Sequence, residues 1–225
     1  MRKNLSRLVA CLALFGAALA APAEAGSFVG NIAGSTDATG SDYSGEFIYT
    51  PTNSTTATLT ISLTNLTPAG VGGFLTAFVF NVPDAVTGVT LDSASPATMD
   101  TFFFSPDNIN AQPFGQDYDA GLGVGGNANS VFEGGGNPSN GIPVGGTGAF
   151  TFTVTGTNLN TLTQQSFFIE TPSGGPFFVA RFRGLTGGGS DKVPAVSIPE
   201  PSTLTLAGLG GLGVIGLVRR RWRAV

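Results

Sequence analysis

The chain has 225 residues, with ten Lys plus Arg, fourteen Asp plus Glu, one Cys, no His, 34 Gly and only 11% of positions charged. Lacking histidine, it cannot build a Ser-His-Asp or Cys-His relay, or an imidazole-ligated zinc, iron or copper site, and an ordinary enzyme is disfavoured. Its hydrophobic share of 41% is that of a globular chain. In chain order, residues 1–25 combine a basic start (Arg2, Lys3, Arg7), an apolar run from Leu8 to Ala21 and the small-x-small triplet Ala23-Glu24-Ala25. This is the pattern of a secretory signal peptide cut after Ala25, with Ala23 and Ala25 as the residues signal peptidase reads. Cys11 leaves with it, so the exported protein has no disulfide and depends on packing.

Residues 26–197 form the body. Arg181, Arg183 and Lys192 are its only cations against twelve carboxylates. So acidic a body repels a phosphate backbone, which argues against nucleic-acid binding. Period-two alternation predicts half-buried strands: Leu59, Ile61 and Leu63 alternate with Thr60, Ser62 and Thr64, and Phe150, Phe152 and Val154 with Thr151, Thr153 and Thr155. Further strands are expected at Gly45–Thr50, Phe74–Val82, Val86–Leu91, Thr101–Phe104, Ser166–Thr171 and Phe177–Leu185, each bounded by turn-forming residues. The expected fold is all-β: an antiparallel β-sandwich of jelly-roll or carbohydrate-module type with Phe as the main core filler.

Residues 105–148 lose the alternation and read as a long Gly-rich loop. Asp117 and Asp119, followed by Asn127, Asn129 and Glu133, are hard oxygen donors, so calcium is the one cofactor the sequence raises. A solvated polar loop is the competing reading, because the EF-hand pattern fails at Gly121, the fifth position counted from Asp117. With no Trp in the body, a sugar-stacking platform would fall to Tyr118 between the two aspartates. In Phe177–Leu185, Phe178, Ala180 and Phe182 are expected to point inward. Arg181 and Arg183 then point outward, either paired with carboxylates such as Glu170 or forming a clamp for a uronic acid or sulfate.

Residues 198–225 hold Pro199-Glu200-Pro201, a charge-free run from Leu204 to Val218, and Arg219, Arg220, Arg221 and Arg223. The prolines favour an extended segment that a peptidase groove could grip. As a helix the run 204–218 spans about 22 Å, short of a hydrocarbon core of about 30 Å unless Ser202 and Thr203 extend it, and Arg219–Arg221 would hold the cytoplasmic side. These residues resemble the PEP-CTERM sorting signal, also known as an ice-binding-protein C-terminal domain. The resemblance implies recognition by an exosortase, a membrane-embedded peptidase or transpeptidase of Gram-negative bacteria. It also implies transient residence in the inner membrane followed by delivery to the cell surface or to an exopolysaccharide or biofilm matrix. A simple C-terminal anchor shares every feature but the triplet. Three functions follow as expectations: a non-enzymatic matrix protein, a calcium-dependent carbohydrate-binding module, and a small glycosidase using two carboxylates. Extracellular polysaccharide is the expected external partner.

Overall fold

The computed structural model describes residues 26–198. The signal-peptide residues Ala23 and Ala25, the triplet Pro199-Glu200-Pro201, the span 204–218 and Arg219–Arg221 lie outside the described residues. Eleven antiparallel strands run through the body: β1 (Gly26–Gly30), β2 (Tyr43–Pro51), β3 (Thr56–Asn65), β4 (Gly72–Phe80), β5 (Val86–Ser95), β6 (Thr101–Ile109), β7 (Tyr118–Gly123), β8 (Ile142–Pro143), β9 (Thr147–Gly156), β10 (Phe178–Leu185) and β11 (Ser190–Ser197). They follow one path in the order β5-β9-β3-β2-β1-β11-β10-β4-β7-β6, with β8 paired to β4. Among the described residues there is no α-helix.

The path folds into a sandwich because β11 belongs to both layers. Ser190–Pro194 pair with β10, and Ala195–Ser197 pair with β1. The changeover falls beside Pro194, which has no N–H to give a ladder and is tolerated at such a break. Its carbonyl accepts from Asn31 N at 2.7 Å. At the two ends of the path, β5 and β6 flank a groove of about 550 Å³ lined by residues that include Leu91, Phe102 and Phe104.

In the first layer (β5, β9, β3, β2, β1) the expected alternation is present. Leu59, Ile61 and Leu63 of β3 are buried beside Phe152, Phe150 and Gly148 of β9, while Thr58, Thr60, Ser62 and Thr64 lie on the outer face. The inner faces meet in an aromatic core. Phe178 lies 4.8 Å from Phe28 and stacks on Phe78 at 5.4 Å between ring centroids. Phe28 in turn lies over Gly45, where a Cβ would sit 2.3 Å from the ring, so β2 must carry glycine there.

The second layer (β11, β10, β4, β7, β6, with β8) departs from the expectation. Residues 105–148, read from sequence as a loop, contain β7, β8, the end of β6 and two short 3-10 turns. Every residue of β7 is buried. Ile109, Ala111, Val131 and Phe132 from this stretch pack with Tyr118 on Ala77, Val79 and Val179 as a second apolar cluster that covers the outer face of the layer. The glycines of this segment permit close approach: a Cβ on Gly121 would lie 2.5 Å from Val131 Cγ1, and one on Gly123 3.0 Å from the Val131 carbonyl. The strand expected at Ser166–Thr171 is also corrected. Gln164–Phe167 form a 3-10 turn in which Ser166 Oγ accepts from Thr163 N at 3.1 Å, and Phe167 turns into the core against Tyr49. A local side-chain bond here displaces a sheet ladder.

Candidate functional site

The two aspartates singled out from the sequence serve different neighbours. Asp117 Oδ2 accepts from Ser173 N at 2.8 Å and Oδ1 from Ser173 Oγ at 2.9 Å. Partial burial pushes its carboxyl up, but these bonds outweigh that and hold it below the ordinary value. Asp119 is nearly buried on β7. Its Oδ2 accepts from Val82 N at 2.8 Å and its Oδ1 from Asp107 N at 3.0 Å, tying the exit of β4 to the bulged part of β6. Burial pushes Asp119 above the ordinary value; the two backbone bonds oppose that push, and the charges of Asp107 and Asp84 add to it.

The other donors proposed from the sequence are drawn elsewhere. Glu133 bonds Lys192 at 2.6 Å and Arg181 at 3.0 Å. Asn129 gives its carbonyl to Asn110 N at 2.9 Å, and Asn127 gives its carbonyl to Ser130 N at 2.8 Å. Among the described residues no three carboxylates converge tightly enough to hold a metal ion by themselves.

Tyr118 is fully buried, as is Tyr43, and Tyr49 is 8% exposed, so the stacking platform expected at Tyr118 is overturned: its ring is part of the packing beneath the second layer's cover. The arginine clamp is corrected as well. Phe178, Ala180 and Phe182 do point into the core, but Arg181 donates to the Phe132 and Glu133 carbonyls and Arg183 to the Gly136 carbonyl at 3.1 Å. Lys192 donates to the Gln112 carbonyl and sits over the Phe132 ring at 5.5 Å. The three cations of the body therefore hold the cover to the sheet, and the partner of Arg181 is Glu133, not Glu170. Sequence reasoning missed this because nothing in the spacing of Glu133 and Arg181 indicates that the Gly-rich segment returns over β10.

One cavity of about 340 Å³ opens where the chain leaves β4 and enters β5. It is lined by Asn81, Asp84, Asp107, Asp119, Ile169 and Glu170, with three prolines and two valines. No motif spacing announces it, since its carboxylates come from four separate parts of the chain.

At the other functional end, β11 stops at Ser197, and Ile198 N donates to Ser27 O at 3.0 Å. Gly26, the residue after the expected signal-peptide cut, thus lies beside the point where the chain departs for its C-terminal segment. Residues 197–221 match the family described as the PEP-CTERM protein-sorting motif. The chain carries a PEP-CTERM sorting motif. That motif marks an exported, membrane-transiting protein and makes an exosortase its processing partner. The PEP-CTERM match begins on the last residue of β11 and leaves the rest of the body outside it. Among the described residues no helix is long and apolar enough to cross a membrane. No curated protein matches the chain. Among solved structures, the yeast GGA1 GAE domain is similar over 70% of this chain and 91% of its own, with 13% identity and a TM-score of 0.32.

Proposed function

We propose that this protein is a non-enzymatic structural component of an extracellular polysaccharide or biofilm matrix, delivered there by exosortase processing of its C-terminal motif. The observation that carries the reading is the PEP-CTERM motif beginning where β11 ends, so that cleavage near Pro199–Pro201 would release a closed sandwich. A chain bearing Pro199→Ala and Pro201→Ala, expressed in its host, is expected to stay in the membrane fraction with an intact mass that includes Arg223. Arrival of this variant in the matrix fraction, or a wild-type matrix form that retains Arg223, would overturn the reading.

A second reading, binding of neutral polysaccharide, is favoured by the outer face of the first layer. There Thr60 and Thr151 hydroxyls lie 3.5 Å apart and those of Thr64 and Thr147 3.0 Å apart, a row of hydroxyl donors and acceptors flanked by Glu46, opposite Ser62, and by Asp92, which accepts from Thr153.

A further inference from the structure

The cavity between β4, β5, β6 and β7 has two features that are unusual together. The first is uncompensated negative charge. Asp84, Asp107, Asp119 and Glu170 all line it. The body's two described ion pairs are both made by Glu133, with Arg181 and Lys192, while Arg183 is bound to the Gly136 carbonyl. None of the three cations lines the cavity or forms an ion pair with these four carboxylates. The second is an orphaned acceptor. Asn81 is only 3% exposed and lines the same cavity. Its Nδ2 donates to the Ile169 carbonyl at 2.8 Å, which orients the amide, and its Oδ1 has no hydrogen-bond partner. A buried acceptor left unmatched costs about 1–3 kcal/mol, so a native fold that retains one calls for an explanation.

A carbonyl oxygen and several carboxylates around one small space form the donor set of a hard divalent cation. The geometry points to a calcium site in this cavity, with Asn81 Oδ1 and Asp119 as inner ligands and Asp84, Asp107 and Glu170 contributing charge, directly or through water.

Calcium suits the arrangement better than magnesium. It accepts six to eight oxygens in irregular geometry, whereas magnesium demands a near-ideal octahedron at short distance. The cavity volume of about 340 Å³ leaves room for an ion with several waters, each occupying about 30 Å³. Asp119 is fitted to be an acceptor. Both its oxygens already take backbone N–H bonds, which fix the carboxylate while leaving a lone pair on each for a cation. The same bonds argue against a general-acid role, which requires an oxygen free to hold and deliver a proton. Asp117, which the sequence paired with Asp119, does not line the cavity and is held by Ser173. A water-rich site of this kind belongs with the weak calcium sites of extracellular modules, with Kd of about 10⁻⁴ to 10⁻³ M. The site is independent of sorting, since no residue of it lies in the C-terminal motif.

The test is calorimetric titration of the full chain in mild detergent with calcium chloride and, separately, magnesium chloride at matched ionic strength, together with melting curves. Calcium is expected to bind at one saturable site with Kd near the range above and to raise the melting temperature by about 3–5 °C at ten times Kd, with magnesium markedly weaker. The double variant Asp84→Asn/Glu170→Gln, whose exposed side chains carry no core packing, is expected to bind calcium at least about ten-fold more weakly while melting no lower than wild type without the ion. Asn81→Ala is expected to weaken binding to a similar extent, and Asp117→Asn to leave it unchanged. The proposal is overturned by an absence of saturable calcium binding, by equal responses to both salts, by undiminished affinity in the double variant, or by loss of binding in Asp117→Asn alone. A failure of sorting would appear in the fractionation experiment and would leave these titrations unaffected.

Discussion

The two layers of the sandwich differ in what lies on their outer faces. The first presents a row of Thr and Ser directly to solvent, whereas the second is roofed by residues 109–114 and 131–136, held through Val131, Phe132 and the three body cations. The difference shows that one chain can use identical strand geometry for an open surface and for a doubly buried one. An open face needs only polar alternation. A covered face needs apolar residues on both sides of the strand, glycines for close approach, and fixed polar ties for the cover.

That contrast can be broken most strongly at the cover's anchor. Phe132→Ala, which empties a fully buried ring site, is expected to lower unfolding free energy by about 3–5 kcal/mol in denaturant titrations of the full chain. A loss below about 1 kcal/mol would mean that the cover is not integral to the fold. A smaller effect is expected at the tie. Glu133→Gln leaves Arg181 and Lys192, with side chains 13% and 16% exposed, short of their counter-charge. Because Glu133 is itself 41% exposed, the expected loss is about 1–2 kcal/mol rather than that of a fully buried pair, and the same titration checks it. The smallest effect belongs to the open face. Thr60→Val keeps the branched shape and removes one hydroxyl of a 3.5 Å pair, so a change within about 0.5 kcal/mol is expected. A loss as large as that of Glu133→Gln would erase the distinction between the faces.

The same contrast explains what could be read from the sequence. β3 and β9 are legible because their faces meet different media, and Leu59 against Thr60 records that difference residue by residue. β7 is not, because Tyr118–Gly123 is buried on both sides and its glycines are spaced for contact with Val131, which local pattern cannot distinguish from spacing for mobility. β11 was hidden by Asp191, Lys192 and Pro194, whose roles emerge only from partners far away: Asp191 Oδ2 accepts from Thr39 Oγ1 at 2.6 Å, and Lys192 reaches Glu133. The sorting motif could be read directly because its meaning lies in order along the chain. The acidic cavity could not, because Asn81, Asp107, Asp119 and Glu170 meet only after four strands and a turn are in place.

The double membership of β11 also sets a timetable. In folding, β1 must wait for a neighbour nearly the whole length of the body away, Phe28 opposite Ser197. Until Ser190–Ser197 are in place, the two layers have no shared strand, and the edges of β1 and β10 stay unpaired, open to mispairing. Closure of the sandwich thus depends on the very strand on which the sorting motif begins, so the last piece of the body to be placed is also the one joined to its C-terminal segment.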